Sequence, residues 1–317
     1  MLNVGFIGCG GIAEDHLKLL QGNDEVTITS FYDIDNNQAK IVAEKFKGKC
    51  FESLESFIQE SGIDAVWVCV PPFAHGSIEE RLIKAQIPFF VEKPVANKLE
   101  VAKRIEALLQ KTSIATSVGY HWRYKESIKI AKEYLKGKNI QLIQGTWGCS
   151  LPPVEWWLDS KKSGGQLVEQ ATHIFDMIRY LGGEFSQIHS LAKFDQVYNI
   201  PRNCSVNFTL KNGTIGNIVT SNLFDEDSTP FVKFYTEDCL IIVRSRDIEI
   251  KFYDGTYKKF DGFDNGMKLE QESFLNAVKL NDHNLSLSKY SDSVKTLEAT
   301  LAAKISYETG EIVTLNN

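Results

Sequence analysis

A short apolar run followed by three glycines within four positions opens the chain, in the stretch NVGFIGCGGIAEDH at residues 3–16. The apolar residues predict a buried strand, and the residues after the glycines predict a helix. Glycine at such a junction either makes a tight turn or lets the backbone approach a bound phosphate. The stretch therefore predicts a sheet whose strands are followed by helices, and it raises the question of a phosphate ligand.

The first 120 residues repeat this alternation of strand and helix. Apolar runs alternate with segments of helical periodicity, which lie at about 11–21, 36–46, 75–86 and 97–111. Nearly continuous apolar strands are typical of a parallel sheet that helices cover on both faces. Residues 1–120 are therefore predicted to form a domain of the α/β class with a parallel sheet.

The pattern changes after Tyr120, where helices and alternating strands follow one another less regularly. Asn212-Gly213 lies between two alternating runs and predicts a hairpin. Residues 121–317 are predicted to form an α+β domain with a mainly antiparallel sheet. Its predicted helices lie near 125–136, 164–181, 266–280 and 289–309, and its predicted strands near 140–148, 231–236, 239–244, 247–253 and 256–260.

Composition and charge argue against several classes of protein. The net charge of the 317 residues is −6 without a long run of one sign, so neither a nucleic-acid surface nor a basic membrane patch is predicted. No apolar stretch approaches the ~18 residues of a membrane-spanning helix, and residues 1–3 lead into a strand without a secretory signal. The six scattered cysteines lack a C-x-x-C pair. We interpret them as reduced core residues of a cytoplasmic protein and predict no metal site.

The glycine turn matches the dinucleotide fingerprint G-x-G-x-x-G/A over residues 8–13. Gly8 permits the tight turn, Gly10 lets the backbone approach a pyrophosphate, and Ala13 permits close packing of the helix on the strand. The helix N-terminus would offer free N–H groups and a partial positive charge to the phosphates. A glycine turn without a ligand is the alternative interpretation.

Asp33, at the end of the second predicted strand, is positioned to accept hydrogen bonds from the adenosine ribose of a dinucleotide. Its alternative role is to cap the helix that follows. Residues 34–38 contain no cation that would bind a 2′-phosphate, and Asp35 would repel one. The sequence therefore favours NAD over NADP as the cofactor.

Three further stretches follow the glycine turn in order: CVPPFAHG at 69–76, VEKP at 91–94 and GGQLVEQATHIFD at 164–176. In this combination the chain resembles the Gfo/Idh/MocA family of nicotinamide-dependent oxidoreductases over essentially its whole length. The resemblance implies that residues 1–120 form a dinucleotide-binding Rossmann domain. It also implies that residues 121–317 form an α+β substrate-binding and oligomerisation domain with a large open, mainly antiparallel sheet. Because that sheet often forms an oligomer interface in the family, a homodimer or homotetramer is expected.

Known members of this family oxidise or reduce hydroxyl and carbonyl groups on sugars, cyclitols and related polyols. The resemblance therefore implies an NAD(P)-dependent oxidoreductase that transfers a hydride between nicotinamide and a sugar, sugar acid or cyclitol. Two alternatives remain open, since some members cleave glycosidic bonds by transient redox chemistry and a few only bind the dinucleotide and regulate transcription. A regulator of that kind would be expected to lack Lys93 or His173, and both are present.

The resemblance also assigns roles to individual residues. Lys93 and His173 match the catalytic lysine and histidine of the family, and Asp176 matches the acid three residues further on. Glu169 lies where many members carry Asp, so its carboxylate extends about one methylene further and departs from inositol and simple hexose dehydrogenases. These four are the predicted catalytic residues, and the peptide bond between Lys93 and Pro94 is a candidate for the cis form.

The chemistry of these side chains is consistent with those roles. Lys93 ends a buried strand at the carboxyl edge of the sheet, where α/β proteins bind ligands, although a surface salt bridge with Glu92 is the alternative. On the predicted helix, Glu169, His173 and Asp176 share the polar side, which forms either a proton relay or a surface that faces solvent. Either the lysine or the histidine can then take the proton of a substrate hydroxyl.

Four other residues have two interpretations each. Arg123 either binds a carboxylate or hydroxyl pair of the substrate or ties the two domains together. Trp156 and Trp157 either face a sugar ring or pack in the core, and His75 either approaches the nicotinamide ribose or has no ligand contact. The predicted cofactor-binding residues are Gly8, Gly10, Gly11, Ile12, Asp33, Pro71, His75, Glu92 and Lys93, and the predicted substrate-binding residues are Arg123, Trp156, Trp157, Glu169 and His173.

Overall fold

A computed structural model describes residues 1–195, 200–223, 229–262 and 265–316 of the chain. The chain divides into two compact units. The first comprises Met1–Tyr120 and Met267–Val294, and the second comprises His121–Gly266 and Lys295–Asn317. The sequence assigns all of 121–317 to the second domain, and the structure differs in returning Met267–Val294 to the first unit.

The first unit contains a six-stranded parallel sheet. Its strands are β1 (Leu2–Ile7), β2 (Val26–Tyr32), β3 (Lys49–Cys50), β4 (Ala65–Val68), β5 (Phe89–Val91) and β6 (Thr116–Val118). They lie in the order β3-β2-β1-β4-β5-β6, which is the order of dinucleotide-binding Rossmann folds. The predicted fold class of this half of the protein is therefore confirmed.

Five helices connect these strands. They are α1 (Gly11–Leu20), α2 (Asn36–Phe46), α3 (Leu54–Glu60), α4 (Ser77–Lys84) and α5 (Leu99–Leu109). The sequence predicts four of them to within two residues at either end, and α3 is the one that it misses. Asp35 begins α2 because its carboxylate accepts the free N–H groups of Asn37 and Gln38.

The segment that returns to the first unit packs on the sheet through α10 (Gly266–Leu280). The ring of Phe274 lies edge-on to Trp67 and Phe90, with centroids 5.2 and 5.9 Å away. Further along, the backbone carbonyl of Ser288 accepts a hydrogen bond from the backbone N–H of Val118 at 2.9 Å. The hydroxyl of Ser288 donates to the backbone carbonyl of Val118 at 2.6 Å. Burial of apolar side chains and pairing along the edge of β6 thus explain why the predicted domain boundary fails here.

The second unit is built on a nine-stranded sheet. Its strands are β7 (Ile140–Gly148), β8 (Phe185–Phe194), β9 (Pro201–Leu210), β10 (Ile215–Ser221), β11 (Phe231–Thr236), β12 (Cys239–Arg244), β13 (Asp247–Phe252), β14 (Tyr257–Asp261) and β15 (Val313–Thr314). They lie in the order β14-β13-β12-β11-β7-β10-β9-β8-β15, and only β7 and β10 pair in parallel. The predicted large, mainly antiparallel sheet is confirmed, as is the hairpin at Asn212-Gly213.

The helices of the second unit cover one face of this sheet. They are α6 (Glu126–Leu135), α7 (Ser160–Ser163), α8 (Gln166–Glu169), α9 (Thr172–Gly182) and the greater part of α11 (Tyr290–Thr309). On the sheet, Gly145 leaves room for α9, because a Cβ there would come within 2.4 Å of the side chain of Ile174. The apolar stripe of α9 therefore packs directly against the central strand β7.

The single helix predicted over 164–181 is wrong, since the structure divides it into α8 and α9. Gly164 and Gly165 have positive φ angles of 78° and 81°, which place them outside a right-handed helix. After α8, the N–H of Ala171 bonds to the carbonyl of Gln166, five residues back, at 2.8 Å. This wider turn interrupts the regular spacing on which the predicted polar face depends.

Among the described residues no helix is both long and apolar enough to cross a membrane. The six cysteines are free thiols, and Cys9, Cys69, Cys204 and Cys239 are buried. The interpretation of the cysteines as reduced residues agrees with this placement.

Candidate active site

The glycine turn between β1 and α1 combines one closed position with two open ones. Gly8 has a φ of +87°, and a Cβ there would lie 2.3 Å from the carbonyl oxygen of Cys69, so only glycine fits. Gly10 and Gly11 are exposed, and a Cβ at either would meet no described atom within 4 Å. Gly10 is also the N-cap of α1 and has no side chain to bind the first N–H groups. The turn thus leaves an open space at a helix N-terminus, beside the partly exposed Ile12, which fits a pyrophosphate.

Asp33 is held against this turn by backbone hydrogen bonds. Its Oδ2 accepts the N–H of Cys9 at 2.7 Å, and its Oδ1 accepts the N–H of Asp35 at 2.8 Å. Asp35 rather than Asp33 caps α2, so the alternative role of Asp33 as a helix cap is excluded. Next to it, Ile34 is 96% exposed. The carboxylate therefore lies beside the glycine turn, as recognition of a ribose hydroxyl requires.

The thiols close to the turn stay protonated at neutral pH. Burial, together with a smaller contribution from the nearby charge of Asp33, raises the pKa of Cys9 to about 12. Burial likewise raises the pKa of Cys69 well above its usual value, with Glu92 adding to the shift. Because the thiolate is the reactive form of cysteine, neither residue is suited to nucleophilic chemistry.

Glu92 is buried immediately before Lys93, at the end of β5. Its Oε1 lies 2.8 Å from Nε2 of His16, and its Oε2 accepts the backbone N–H of Lys93 at 3.0 Å. The carboxylate is thus buried inside the first unit. The alternative of a salt bridge at the surface does not agree with this position. The Lys93-Pro94 bond is cis, as the sequence suggests.

His75 begins the segment that leads into α4. Its Nδ1 lies 2.6 Å from Oε1 of Glu79, and both side chains are fully buried. The other oxygen of Glu79 accepts the N–H of Gly76 at 2.5 Å. His75 is therefore fixed by a pair at the start of the helix, and Pro71 lies just before the short 3₁₀ turn Pro72–Ala74 that precedes it.

In the second unit, His173 lies in a cluster of aromatic rings. The imidazole stacks near Trp147 and Trp122, with centroids 5.7 and 6.2 Å away and interplanar angles of 21° and 15°. His121 approaches its ring edge-on at 5.2 Å. Because His173 is only 6% exposed, these contacts restrict the orientation of the imidazole. Sequence analysis did not identify His121, which lies two residues before Arg123 and matches no motif.

The carboxylate of Asp176 is paired with Arg123. Arg123 donates to both carboxylate oxygens, and the hydroxyl of Thr296 donates to Oδ1 at 3.0 Å. Arg123 is 3% exposed and Asp176 is fully buried. Within the second unit this arginine thus stabilises a buried carboxylate, a role that neither interpretation from the sequence anticipates.

Glu169 and Trp157 form a second local pair. The indole N–H of Trp157 donates to Oε2 of Glu169 at 2.9 Å, and the tryptophan is 1% exposed. Trp157 therefore packs in the core, and its predicted contact with a sugar ring is wrong. Trp156 lies in the same 3₁₀ turn, Glu155–Leu158, and is partly exposed.

His16 and Glu270 are two buried polar residues of the first unit that sequence analysis missed. With Glu92 they form a buried cluster whose nearest ligand-type atoms lie within 4.8 Å of one another. His16 shares the buried face of α1 with Ala13, Leu17 and Leu20. A histidine within that apolar stripe is a signal that could have identified it, whereas Glu270 comes from a distant helix and has no local signal.

Two family models match most of the chain. The model described as "Oxidoreductase family, NAD-binding Rossmann fold" matches residues 2–120. The model described as "GFO/IDH/MocA C-terminal domain" matches residues 139–242.

Individual proteins give the same result. Glucose-6-phosphate 3-dehydrogenase of Bacillus subtilis (strain 168) is 28% identical over 285 residues, covering 83% of this chain and 78% of that protein. Myo-inositol 2-dehydrogenase of Thermotoga maritima is 26% identical over 188 residues, covering 58% of this chain and 55% of that protein. Among solved structures, levoglucosan dehydrogenase in complex with NADH and levoglucosan shares the fold, with a TM-score of 0.90 at 18% identity over 99% of both chains. The chain belongs to the Gfo/Idh/MocA family of oxidoreductases and carries its NAD-binding Rossmann domain.

Proposed function

We propose that the protein is an NAD-dependent dehydrogenase that interconverts a hydroxyl and a carbonyl group on a sugar, sugar acid or cyclitol. The observation that carries the proposal lies within the first unit. The open glycine turn follows β1 and Lys93 follows β5, two strands away, so both lie at the carboxyl edge of one parallel sheet. Ligands of open α/β sheets bind at that edge. The names of the relatives, which are dehydrogenases of glucose 6-phosphate and of inositol, support the substrate class.

The residues of the turn would hold the cofactor. The N–H groups at the start of α1, next to Gly10 and Gly11, would bind the pyrophosphate, and Asp33 would accept a ribose hydroxyl. His75, Pro71 and the Lys93 segment follow other strands of the same sheet and complete the predicted binding set. When bound, NAD supplies the carbon that accepts or donates the hydride.

The side chains of Lys93 and His173 would stabilise the charge on the substrate oxygen and transfer the hydroxyl proton. A lysine ammonium stabilises the negative charge that develops on the substrate oxygen as its C–H bond breaks. The hydroxyl proton passes to Lys93 or to His173, and the same group returns it in the reverse direction. The aromatic rings around His173 would keep the imidazole oriented for that transfer.

A panel of sugars, sugar acids and cyclitols, with glycosides of the same sugars, tests the proposed function. Purified protein is mixed with NAD and each compound, and the absorbance of reduced nicotinamide is followed with time. We expect steady formation of NADH with at least one compound, and the compound identifies the substrate class. Release of free sugar from a glycoside without net NADH would instead indicate the glycosidase, and NAD binding without turnover of any compound would indicate the regulator.

We further propose that the protein forms a homodimer or homotetramer through the outer face of the nine-stranded sheet. Leu191, Ser205, Val219 and Thr146 lie side by side in register on neighbouring strands. Leu191 on β8 is 65% exposed, and Val219 on the interior strand β10 is 47% exposed. Exposed apolar side chains that lie in one row of a sheet indicate a surface for association. Burial of this row against a second copy would remove the apolar surface from water.

Light scattering during size-exclusion chromatography tests the interface. Leu191→Lys with Val219→Lys should convert the oligomer to monomers, because two charges would be buried in each interface. Leu280→Lys is the matched control, since Leu280 is 70% exposed on α10 and outside the row. A wild-type protein that elutes as a monomer would contradict this proposal.

A further inference from the structure

The carboxylate of Glu92 joins two segments of the first unit that carry different parts of the proposed chemistry. One oxygen contacts Nε2 of His16 on α1, the helix that begins at the glycine turn. The other oxygen accepts the backbone N–H of Lys93 at 3.0 Å. A single buried side chain thus connects the phosphate-binding helix with the backbone of the predicted catalytic lysine.

The direction of the first hydrogen bond follows from its partners. An ionised carboxylate can only accept, so Nε2 of His16 carries the proton and donates it to Oε1 of Glu92. His16 is fully buried, and Nδ1 has no hydrogen-bond partner among the described residues.

The surroundings of Glu92 leave it little freedom. Gly119, after β6, faces the carboxylate, and a Cβ there would lie 2.6 Å from Oε1. The ring of Phe90 packs edge-on against His16, with centroids 5.1 Å apart. Glu92 is 5% exposed, so its charge depends on hydrogen bonds from protein groups more than on water.

We propose that His16 is a positioning residue that acts through Glu92 to fix the backbone of Lys93. His16 holds one oxygen of Glu92, and the orientation of the carboxylate then aims the other oxygen at the N–H of Lys93. The absence of a side chain at Gly119 makes room for this arrangement. The inference rests on the proposed function, in which Lys93 acts on the substrate, and small displacements of a catalytic group lower turnover strongly.

Hydrogen exchange of the Lys93 amide tests the link without any substrate. The amide is observed by NMR in protein labelled with ¹⁵N-lysine, in the presence and absence of NAD. His16→Leu removes the donor, and we expect the Lys93 amide to exchange about tenfold faster or more, the scale of one lost hydrogen bond to a charged group. His16→Gln keeps an N–H donor near Oε1 and should restore slow exchange.

A second variant displaces the same carboxylate by a steric clash instead of by the loss of a hydrogen bond. Gly119→Ala places a methyl group against Oε1 of Glu92 and should accelerate exchange at Lys93 as His16→Leu does. Gly22→Ala is the matched control, because a Cβ at Gly22 would meet nothing within 4 Å. On the substrate found in the panel, His16→Leu and Gly119→Ala should lower kcat by about tenfold or more while the KM for NAD changes less than about threefold.

The outcomes separate this inference from the proposed function. Unchanged exchange at Lys93 in His16→Leu would overturn the inference, as would faster exchange with an unchanged kcat. Faster exchange at every lysine amide together with a large fall in Tm would show a general loss of structure, which also overturns it. If the wild-type protein turned over no compound, the proposed function would fail, and exchange at Lys93 would still decide whether His16 fixes the lysine backbone.

Discussion

The guanidinium of Arg123 donates two hydrogen bonds to the carboxylate of Asp176, from Nε to Oδ2 at 2.8 Å and from Nη2 to Oδ1 at 2.5 Å. Both side chains are almost completely buried in the second unit. Breaking a buried ion pair from one side leaves the other charge without its counter-ion, which is more costly than removing both charges.

Single replacements of this pair should therefore destabilise the protein more than the double replacement does. We expect Asp176→Leu and Arg123→Met each to lower the free energy of unfolding by about 3–5 kcal/mol. The double variant should lose clearly less than the sum of the two, since neither charge remains. Urea denaturation followed by circular dichroism measures the cycle. Additive losses would contradict a structural pairing and would favour independent contacts of each residue with a ligand.

Lys93→Met and His173→Ala should each lower kcat on the true substrate by about 100-fold or more, the scale of acid–base catalysis. The Kd of NAD should change little, because the phosphates are expected to bind at the glycine turn. Steady-state kinetics and calorimetric titration measure the two effects separately. A variant that kept the full kcat would exclude its residue from catalysis, and the pH profile of the remaining activity would identify the residue that takes the proton.

Substitution of Gly10 should impair NAD binding, whereas substitution of Gly8 should impair the stability of the fold. Gly10→Val adds a side chain in open space and in an extended conformation (φ −80°), so the protein should fold normally but give no measurable heat of NAD binding. Gly8→Ala imposes a positive φ and a clash with Cys69, and it should lower the stability by about 1–3 kcal/mol or more. Calorimetric titration and thermal melting distinguish the two effects. Normal NAD binding by Gly10→Val would contradict the assignment of the phosphates to this turn.

Asp33 should make the protein prefer NAD to NADP. A charge repulsion at about 4 Å amounts to about 1–4 kcal/mol between bulk-water and near-surface screening, which corresponds to about a fivefold to thousandfold preference in kcat/KM. Replacing Asp33 by Ser and the exposed Ile34 by Arg should narrow or reverse that preference. The measurement is kcat/KM with each cofactor. Preference of the unmodified protein for NADP would show that cations from elsewhere, Lys40 being the nearest in sequence, reach this site.

The features that the sequence predicted well are those set by local patterns. Strand–helix alternation located α1 and α2, and the Asn212-Gly213 turn located the hairpin, because each depends on residues close together in the chain. The glycine turn was likewise identified from six consecutive residues. Alternating polarity also located most strands of the second sheet, but it missed β8, in which several polar and apolar residues deviate from strict alternation.

The features that escaped prediction depend on contacts between distant residues. The pairing of His16 with Glu92 joins residues 76 positions apart, and that of Arg123 with Asp176 joins residues 53 apart. Helical periodicity predicts which side chains share a face with His173, but it contains no information on the stacking of its ring near Trp122 and Trp147, which lie on other elements. Trp157 is buried and donates a hydrogen bond to Glu169, 12 positions along the chain. No pattern in the sequence around either residue predicts this contact.

The return of residues 267–294 to the first unit has a consequence for how such proteins can be recombined. A chimaera joined once, at residue 120, would combine the sheet of one parent with the covering helix of another. Phe274 would then have to fit a foreign Trp67 and Phe90, and the serine contacts along β6 would have to be matched as well. Exchange of the dinucleotide-binding unit between relatives therefore requires two separate stretches of coding sequence to be transferred together.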